Sequence, residues 1–251
     1  MVERPARAPV ATFFAAERAA VGAPLSLDED SAHHIRVRRV ELGERVRVVD
    51  GAGHRASGTL VRVAKAQAVV DIDEVEATAP LPPVHVIVPI ADRDRMLWLA
   101  EKCAELGATS WRPLMWRRSR SVSPPGEGAT FQQKVRARMA AALTQCGGAW
   151  LPDLFPEATL ERAIAASPAG TRILLDADAP PLLALAATAP VTLAVGPEGG
   201  VEPDEREALV AAGFAPARLA GNILRFETAA VAGLASVRAM LEHASSRPTE
   251  P

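Results

Sequence analysis

The stretch Leu193-Ala194-Val195-Gly196-Pro197-Glu198-Gly199-Gly200-Val201-Glu202-Pro203 constrains the fold of this chain more than any other. Thr192 to Val195, following Pro190, reads as a short buried strand, and it runs straight into a turn holding three glycines, one proline and one carboxylate. A helix should follow. Pro203 suits a first helical position, Asp204, Glu205 and Glu207 load the first turn against the helix dipole, and Gly213 stands where a C-terminal cap belongs. Glycines after a strand let the backbone close around a ligand and offer it unshielded N–H groups. The spacing fits neither G-x-G-x-x-G nor a Walker loop, so a dinucleotide or an ATP phosphate is not the natural guest. A purely structural tight turn is the other reading of this stretch alone.

A second loop of similar design lies downstream. Phe214 to Leu219 reads as another strand, and Ala220-Gly221-Asn222-Ile223-Leu224-Arg225-Phe226-Glu227-Thr228-Ala229 leads from it into a long final helix. Two loops leaving two nearby strand ends are where open α/β sheets bind ligands. Taken together, G-P-E-G-G followed by I-L-R-x-E-T-A resembles the RsmE family, SPOUT-class methyltransferases that methylate N3 of a uridine in small-subunit (16S) ribosomal RNA. Either half alone is weak; both in this order near the C-terminus are specific.

The whole chain agrees in size. Its 251 residues and 49% hydrophobic content suit two domains with packed cores. A formal charge of −2 excludes bulk attraction to a polyanion, so the distribution of charge matters instead. The N-terminus mixes Glu3, Pro5 and Pro9 with arginines and lacks the apolar run of a signal peptide. The longest apolar stretch, Leu182 to Val195, is interrupted by Thr188 and Pro190 and is too short to span a membrane. Cys103 and Cys146 read as buried thiols of a cytoplasmic protein, and five scattered histidines with two distant cysteines suggest no metal site.

Residues 1–78 read as β-rich. Arg45-Val46-Arg47-Val48-Val49 alternates, Asp50-Gly51-Ala52-Gly53 is a turn, and Gly58 to Val63 and Ala68 to Ile72 supply further strands of a small barrel. Between Arg36 and Arg62 stand seven arginines against three acids, which is either a solvated face or a binding one. His33-His34-Ile35-Arg36-Val37-Arg38-Arg39-Val40, then Gly43 and Asp50-Gly51, is similar to the N-terminal signature of the same family, which carries a PUA-like RNA-binding barrel here. His33 and His34 have no neighbour to make them base or nucleophile, and read as structural or phosphate-contacting.

Residues 79–83, Ala-Pro-Leu-Pro-Pro, read as a stiff linker. Residues 84–245 then alternate strand and helix: strand Val84 to Pro89, helix Asp92 to Leu106, strand Ser110 to Leu114, helix Thr130 to Cys146, strand Asp153 to Phe155, a short helix from Glu157, strand Arg172 to Leu175, helix Pro181 to Ala187, and the two units above. That pattern predicts a mostly parallel sheet covered on both faces, an α/β domain, with residues 246–251 a loose tail. Met96, Leu99, Cys103 and Leu106 form one core stripe, and Val135, Met139, Leu143 and Cys146 another. Lys102 with Glu105-Leu106-Gly107 resembles the family's K-x-x-E-L-G segment, and Gln145-Cys146 with Pro152 its E-Q-[SC]-x-R-x-x-x-P segment. Thr144, Gly148, Trp150 and Asn222 depart from it, standing where relatives commonly have one glutamate and three arginines. A second basic region holds seven cations against one acid between Arg112 and Arg138, with Trp111 and Trp116, more often core than stacking platforms, among them.

The resemblance implies S-adenosylmethionine as cofactor, a SPOUT domain with a deep trefoil knot, a homodimer, and small-subunit ribosomal RNA or the assembled 30S subunit as partner. It implies a slot for the cofactor built from Leu174-Leu175-Asp176, from Gly196, Pro197, Glu198, Gly199 and Gly200, and from Leu219, Gly221, Asn222, Ile223 and Leu224. Arg225 is the expected catalytic charge, stabilising the uracil carbonyls as N3 loses its proton, or else a salt-bridge partner of Glu227 or Glu198. Glu198 acts as base or orients its loop by accepting backbone N–H groups, and Thr228 caps the last helix or touches the cofactor. The expected RNA contacts are Arg36, Arg38, Arg39, Lys102, Arg117, Arg118 and Arg120. The final helix, Glu227 to about His243, has Val231, Leu234, Val237 and Leu241 on one side and an alanine-rich second face suited to close helix contact. Two other readings remain open: a SPOUT enzyme acting on another RNA position such as a 2′-hydroxyl, or a non-catalytic RNA-binding protein.

Overall fold

The computed structural model describes residues 8–119 and 127–245. The described residues up to Pro80 form one unit together with Ala140–Leu151; Leu81–Met139 and the described residues from Pro152 onward form the other. Arg120 and the tail expected at 246–251 lie outside the described residues.

The first unit contains β1 (Thr12–Phe14), β2 (Pro24–Leu27), α1 (Glu29–Val37), β3 (Arg45–Val49), β4 (His54–Val63) and β5 (Ala68–Ala77). They form a five-stranded sheet in the order β1-β3-β4-β5-β2, with β1 parallel to β3 and every other pairing antiparallel. Among the described residues no pairing joins β1 to β2, so the sheet is a PUA-like half-barrel. Alternation works as expected: Val46 and Val48 are buried while Arg45 and Arg47 are partly exposed. The β4–β5 ladder shifts register at Ser57/Gly58 and Leu60/Arg62, which bends the sheet around Phe13, Leu25, Leu27, Ile35, Leu60 and Val70. Gly58 permits the first shift, since a Cβ there would fall 2.2 Å from the Asp71 carbonyl oxygen.

Helix α1 is added to the strands expected of this β-rich region. Asp28 caps it, accepting from the Ser31 amide at 2.8 Å, and Ala32 and Ile35 on one side are buried. Arg36, Arg38 and Arg39 are exposed; His34 lies edge-on to Phe13. Ala140–Leu151, which the expected boundaries place in the second domain, packs with this unit. The Trp150 ring covers Gly53 and its Nε1 donates to the Thr78 carbonyl at 2.9 Å, while Arg55 donates to the Gly147 carbonyl at 2.7 and 3.1 Å.

The second unit runs β6 (Val84–Pro89), α2 (Arg93–Glu105), β7 (Ser110–Leu114), α3 (Ala129–Cys146, whose end belongs to the first unit), β8 (Asp153–Leu154), α4 (Leu160–Ala165), β9 (Thr171–Leu175), β10 (Val191–Val195), α5 (Pro203–Ala211), β11 (Phe214–Ala217) and α6 (Phe226–Ser245). All pairings in its six-stranded sheet, ordered β11-β9-β10-β6-β7-β8, are parallel. The helix expected over Pro181 to Ala187 is only a 3₁₀ turn at Leu182–Ala184. Prolines at 180, 181 and 190 leave too few residues to repay helix nucleation. Helix α4 starts after Thr159 rather than at Glu157, because Ala158 still bridges to Leu114.

One sheet face is packed by Leu114, Trp116, Leu174, Ala194, Leu209 and Phe214. Trp111 and Trp116 are core residues. The other face carries α2 and α6, and Gly233 lets α6 come so close that a Cβ there would meet Leu175 Cδ1 at 2.9 Å and Leu193 Cδ2 at 3.1 Å. No helix among the described residues is long and apolar enough to cross a membrane.

Arg238, buried on α6, holds this face to the end of α2. Its Nε donates to the Leu106 carbonyl at 3.0 Å, and its two terminal nitrogens donate to the Pro82 and Gly107 carbonyls. Burial lowers its pKa, and Glu242 partly opposes that. Replacing Arg238 with methionine keeps the apolar stem and leaves three carbonyls without a donor. At about 1.5–3 kcal/mol for a hydrogen bond to a charged group, the variant should lose about 3 kcal/mol or more, read as a lower urea midpoint at unchanged slope.

Candidate active site

β9, β10 and β11 lie side by side and end at Leu175, Val195 and Ala217 on one edge of the sheet. The chain goes from β9 to β10 on one side and returns to β11 on the other, so direction reverses at this edge, the position at which α/β sheets open a crevice. A cleft of about 680 Å³ fills it. That volume suits a small organic cofactor.

Three loops line the cleft. Leu174, Leu175, Asp176 and Asp178 come from the end of β9, Val195 to Val201 from β10, and Arg218, Leu219, Asn222, Ile223 and Leu224 from β11. Gly196, Pro197, Glu198, Gly199 and Gly200 therefore share one cavity with Leu174, Leu175, Leu219, Asn222, Ile223 and Leu224. Gly221 and Thr228 are not among its lining residues; Thr228 is exposed in the first turn of α6. Asp178, Val195, Val201, Arg206 and Arg218 also line it, beyond the residues expected to touch the cofactor. Arg206 carried a legible signal, being a cation in the first half of a helix, where the dipole disfavours it. Its Nε donates to Asp176 Oδ2 at 2.7 Å across the cleft wall.

The glycine loop is shaped by close approaches. The Gly200 amide donates to the Pro197 carbonyl at 2.9 Å with Gly200 at φ +78°. A Cβ on Gly196 would meet Val201 Cγ2 at 2.6 Å, and one on Gly199 would meet Arg118 Cβ at 3.0 Å and Arg118 O at 3.2 Å. Gly199 is thus needed for the segment after β7 to pass. Arg118 clamps the loop: Nε and Nη2 bind the Glu202 carboxylate at 2.7 and 2.9 Å, and Nη1 donates to the Gly199 carbonyl at 3.1 Å. Arg117 pairs with Asp204, and its amide donates to buried Glu205 at 2.9 Å. Glu205 also accepts from the Glu202 amide at 3.1 Å at the start of α5. Two cations expected on the RNA path are therefore occupied in holding the loop and helix.

Other expected residues have particular surroundings. Arg225 is exposed, between cleft-lining Leu224 and Phe226. It is not the ion-pair partner of Glu198 or Glu227; Arg95, on α2, is. Glu198 accepts from that arginine rather than from its own loop's amides, because its half-exposed side chain points out of the turn to a cation the sequence did not single out. Lys102 binds Glu105 at 2.7 Å and Glu101 at 3.0 Å, which raise its pKa. Arg36 donates to the Ala64 and Lys65 carbonyls at 2.7 and 3.2 Å, so its guanidinium ties α1 to the β4–β5 turn. Cys103 is buried and its thiol pushed up to about 12, which makes it inert as a nucleophile. Among the described residues no group of His, Cys, Asp and Glu side chains is placed to hold a metal ion.

Residues 78–238 match the family model described as an RNA methyltransferase domain, and residues 27–73 match that of an RNA methyltransferase PUA domain. The chain is 30% identical over 229 residues to ribosomal RNA small subunit methyltransferase E of Mycobacterium tuberculosis, covering 86% of each chain. The chain belongs to the ribosomal RNA small subunit methyltransferase E family. The crystal structure of the Neisseria gonorrhoeae member bound to S-adenosyl methionine superposes with a TM-score of 0.84 at 25% identity, over 92% of this chain and 98% of that one. A Legionella pneumophila methyltransferase in complex with the same cofactor gives 0.81 at 26% identity, over 91% and 96%. The family's two motifs thus fall, in this chain, on two neighbouring walls of a single cleft.

The turn geometry separates the glycines of the first motif. At Gly200 the nearest atom to an added Cβ is Arg118 Nη1, 3.7 Å away, so only the backbone angle opposes a side chain. Gly200→Ala should cost about 1–2 kcal/mol in urea denaturation, and Gly200→Asn distinctly less, because asparagine tolerates the left-handed region.

Proposed function

We propose that the protein transfers a methyl group from S-adenosylmethionine to N3 of a uridine in small-subunit ribosomal RNA, in the cytoplasm. The observation that carries this reading is the meeting of both family motifs on one cleft, with the exposed Arg225 between two cleft-lining residues. Residues 84–245 act as the methyltransferase domain and the N-terminal half-barrel as the RNA-binding one. The family resemblance supports a chain knotted at this cleft and a homodimer. The nearly bare Ile223 and the partly buried Val231, Ala232 and Ala235 of α6 offer apolar surface that a second copy would cover.

The residues fit the cofactor. Leu174, Leu175, Val195, Leu219 and Leu224 give an apolar wall suited to an adenine ring, and the two loops supply backbone partners. Asp176, Asp178 and Glu198 suit a cationic ligand, while Arg206 and Arg218 can receive a carboxylate. When bound, S-adenosylmethionine supplies an electrophilic methyl group on a sulfonium.

The protein's own task is to handle charge on the uracil. Removing the N3 imide proton spreads negative charge onto the two flanking carbonyl oxygens. Arg225 carries a fixed positive charge and a planar set of donors, the chemistry needed to stabilise that charge as it develops. Glu198 serves best as an orienting group, since its carboxylate points out of the turn and is already engaged by Arg95.

Mass mapping of methylated nucleosides tests the reaction. A strain lacking the gene should lose one N3-methyluridine from small-subunit RNA and regain it on complementation; an unchanged profile, or loss of a 2′-O-methyl group instead, would overturn the assignment. Arg225→Ala should lower single-turnover methyl transfer by about 10²–10³, with cofactor affinity much less affected and the melting temperature kept. Lysine should rescue only part of the rate.

Arg38 and Arg39 are the arginines of α1 and its end best placed for phosphate, because Arg36 is already hydrogen-bonded within the unit. Arg39 has φ +55°, so the clean double variant is Arg38→Gln with Arg39→Asn. On an unpaired strand it should flatten the salt dependence of RNA binding by roughly 0.7 log units for each phosphate that is no longer neutralised, as measured by titration at several salt concentrations.

A further inference from the structure

We infer that Arg95 is a positioning residue for methyl transfer, its one guanidinium tying the glycine loop of the cleft, through Glu198, to the turn that presents Arg225, through Glu227. The inference rests on the reading of the cleft given above. Arg95 Nη1 pairs with Glu198 Oε1, and its Nε stands 4.0 Å from Glu227 Oε1. Glu198 lines the cleft; Glu227 follows Arg225 by two residues and cleft-lining Phe226 by one. Arg95 is thus connected to both motifs while lining neither loop.

Its charge has no local purpose on α2. Arg95 sits in the first turn, where the helix dipole opposes a cation, and the cap is already made by Asp92, whose carboxylate accepts from the Arg95 amide at 3.0 Å. What its charge serves is the pair of acids beyond the helix end. Glu227 is the more demanding of the two, being only 9% exposed, with Oε2 buried and, among the described residues, without a hydrogen-bond donor. Arg95 is the cation that stands beside it, and an acid with an oxygen buried without a donor depends on such a neighbour. Glu198 is the opposite case, half-exposed on a glycine loop whose own tie is the single Gly200 amide to Pro197 carbonyl bond. The rigid, planar guanidinium of Arg95 hydrogen-bonds Glu198 through Nη1 and stands within ion-pair distance of Glu227 through Nε, so one group relates the two acids; a lysine ammonium keeps the charge without that plane.

Hydrogen exchange and single-turnover kinetics on Arg95→Met, Arg95→Lys and Glu227→Gln test this, with melting curves beside them. In Arg95→Met, amides of residues 198–201 and of 225–227 should exchange roughly tenfold faster while the melting temperature changes little. Methyl transfer at saturating cofactor should slow by about 10–10²-fold, the cost of a misplaced group, with KM for RNA nearly unchanged. Arg95→Lys should recover part of the rate, and Glu227→Gln should loosen the 225–227 turn without loosening the glycine loop. In a Glu198→Gln background Arg95→Met should cost less than it does alone. Unchanged exchange at either segment, strictly additive effects, or a rate that falls only in step with the melting temperature would each overturn the inference. A wild type that transfers no methyl group to small-subunit RNA yet shows the exchange differences would sink the functional reading and leave Arg95 as the tie between the two motifs.

Discussion

β10 is buried at all five positions, so it has no polar side on which to place chemistry and contributes to a site only through the loop at its end. That loop must turn at once, beside parallel neighbours β9 and β6, and then start α5. The three glycines answer different parts of this constraint. Gly196 leaves room for Val201 inside the turn, Gly199 lets Arg118 pass, and Gly200 supplies the left-handed backbone angle. Glycine gives shape without rigidity, and the rigidity comes from outside the loop. Arg118 grips the Gly199 carbonyl and Glu202 from the β7 side, and Arg95 holds Glu198 from α2.

The same economy governs charge in the whole chain. Net charge is only −2, and many of the arginines that make the sequence look basic are committed internally. Arg45 pairs with Asp73 and Glu74, Arg55 binds a carbonyl, Arg117 and Arg118 hold α5, Arg206 meets Asp176, and Arg238 ties α6 to the end of α2. Against that background an exposed arginine stands out. Arg38 and Arg39 at the end of α1, and Arg225 beside the cleft, are exposed in this way. Basic composition alone therefore overstates the surface offered to a polyanion, and the location of uncommitted cations is the better guide.

The sheet and the cleft were legible because they rest on local signals. Apolar runs closed by glycine and proline mark β9, β10 and their loops, and twelve of the fourteen residues expected around the cofactor line the cleft, Gly221 and Thr228 being the exceptions. What escaped was long-range pairing between charged residues. Arg95 lies on an ordinary polar position of a helix, and its role comes from partners more than a hundred residues away, which no local periodicity encodes. Helix α1 escaped for another reason: nine residues with only Ala32 and Ile35 buried among the apolar ones make a short stripe, easily lost among flanking strands. The expected helix at Pro181 to Ala187 is cut short for the opposite reason: leucine and alanine favour a helix there, but the prolines on either side leave only a 3₁₀ turn.

Two departures from the family pattern follow from packing. At Gly148 an added Cβ would lie 2.7 Å from Leu143 Cδ2, so any side chain there, the expected family arginine included, needs the end of that leucine to shift. Trp150, where the family pattern leads one to expect a second arginine, lies on Gly53 with its ring atoms within 2.3–2.9 Å of where a Cβ would stand, its indole N–H spent on the Thr78 carbonyl. Gly53 at φ +94° and Trp150 thus fit as a pair, because a side chain on the first would displace the second. An arginine at 150 would restore a cation but leave the face of Gly53 uncovered. In this chain the segment between Cys146 and Pro152 makes a packed aromatic contact within the first unit instead of presenting a cation.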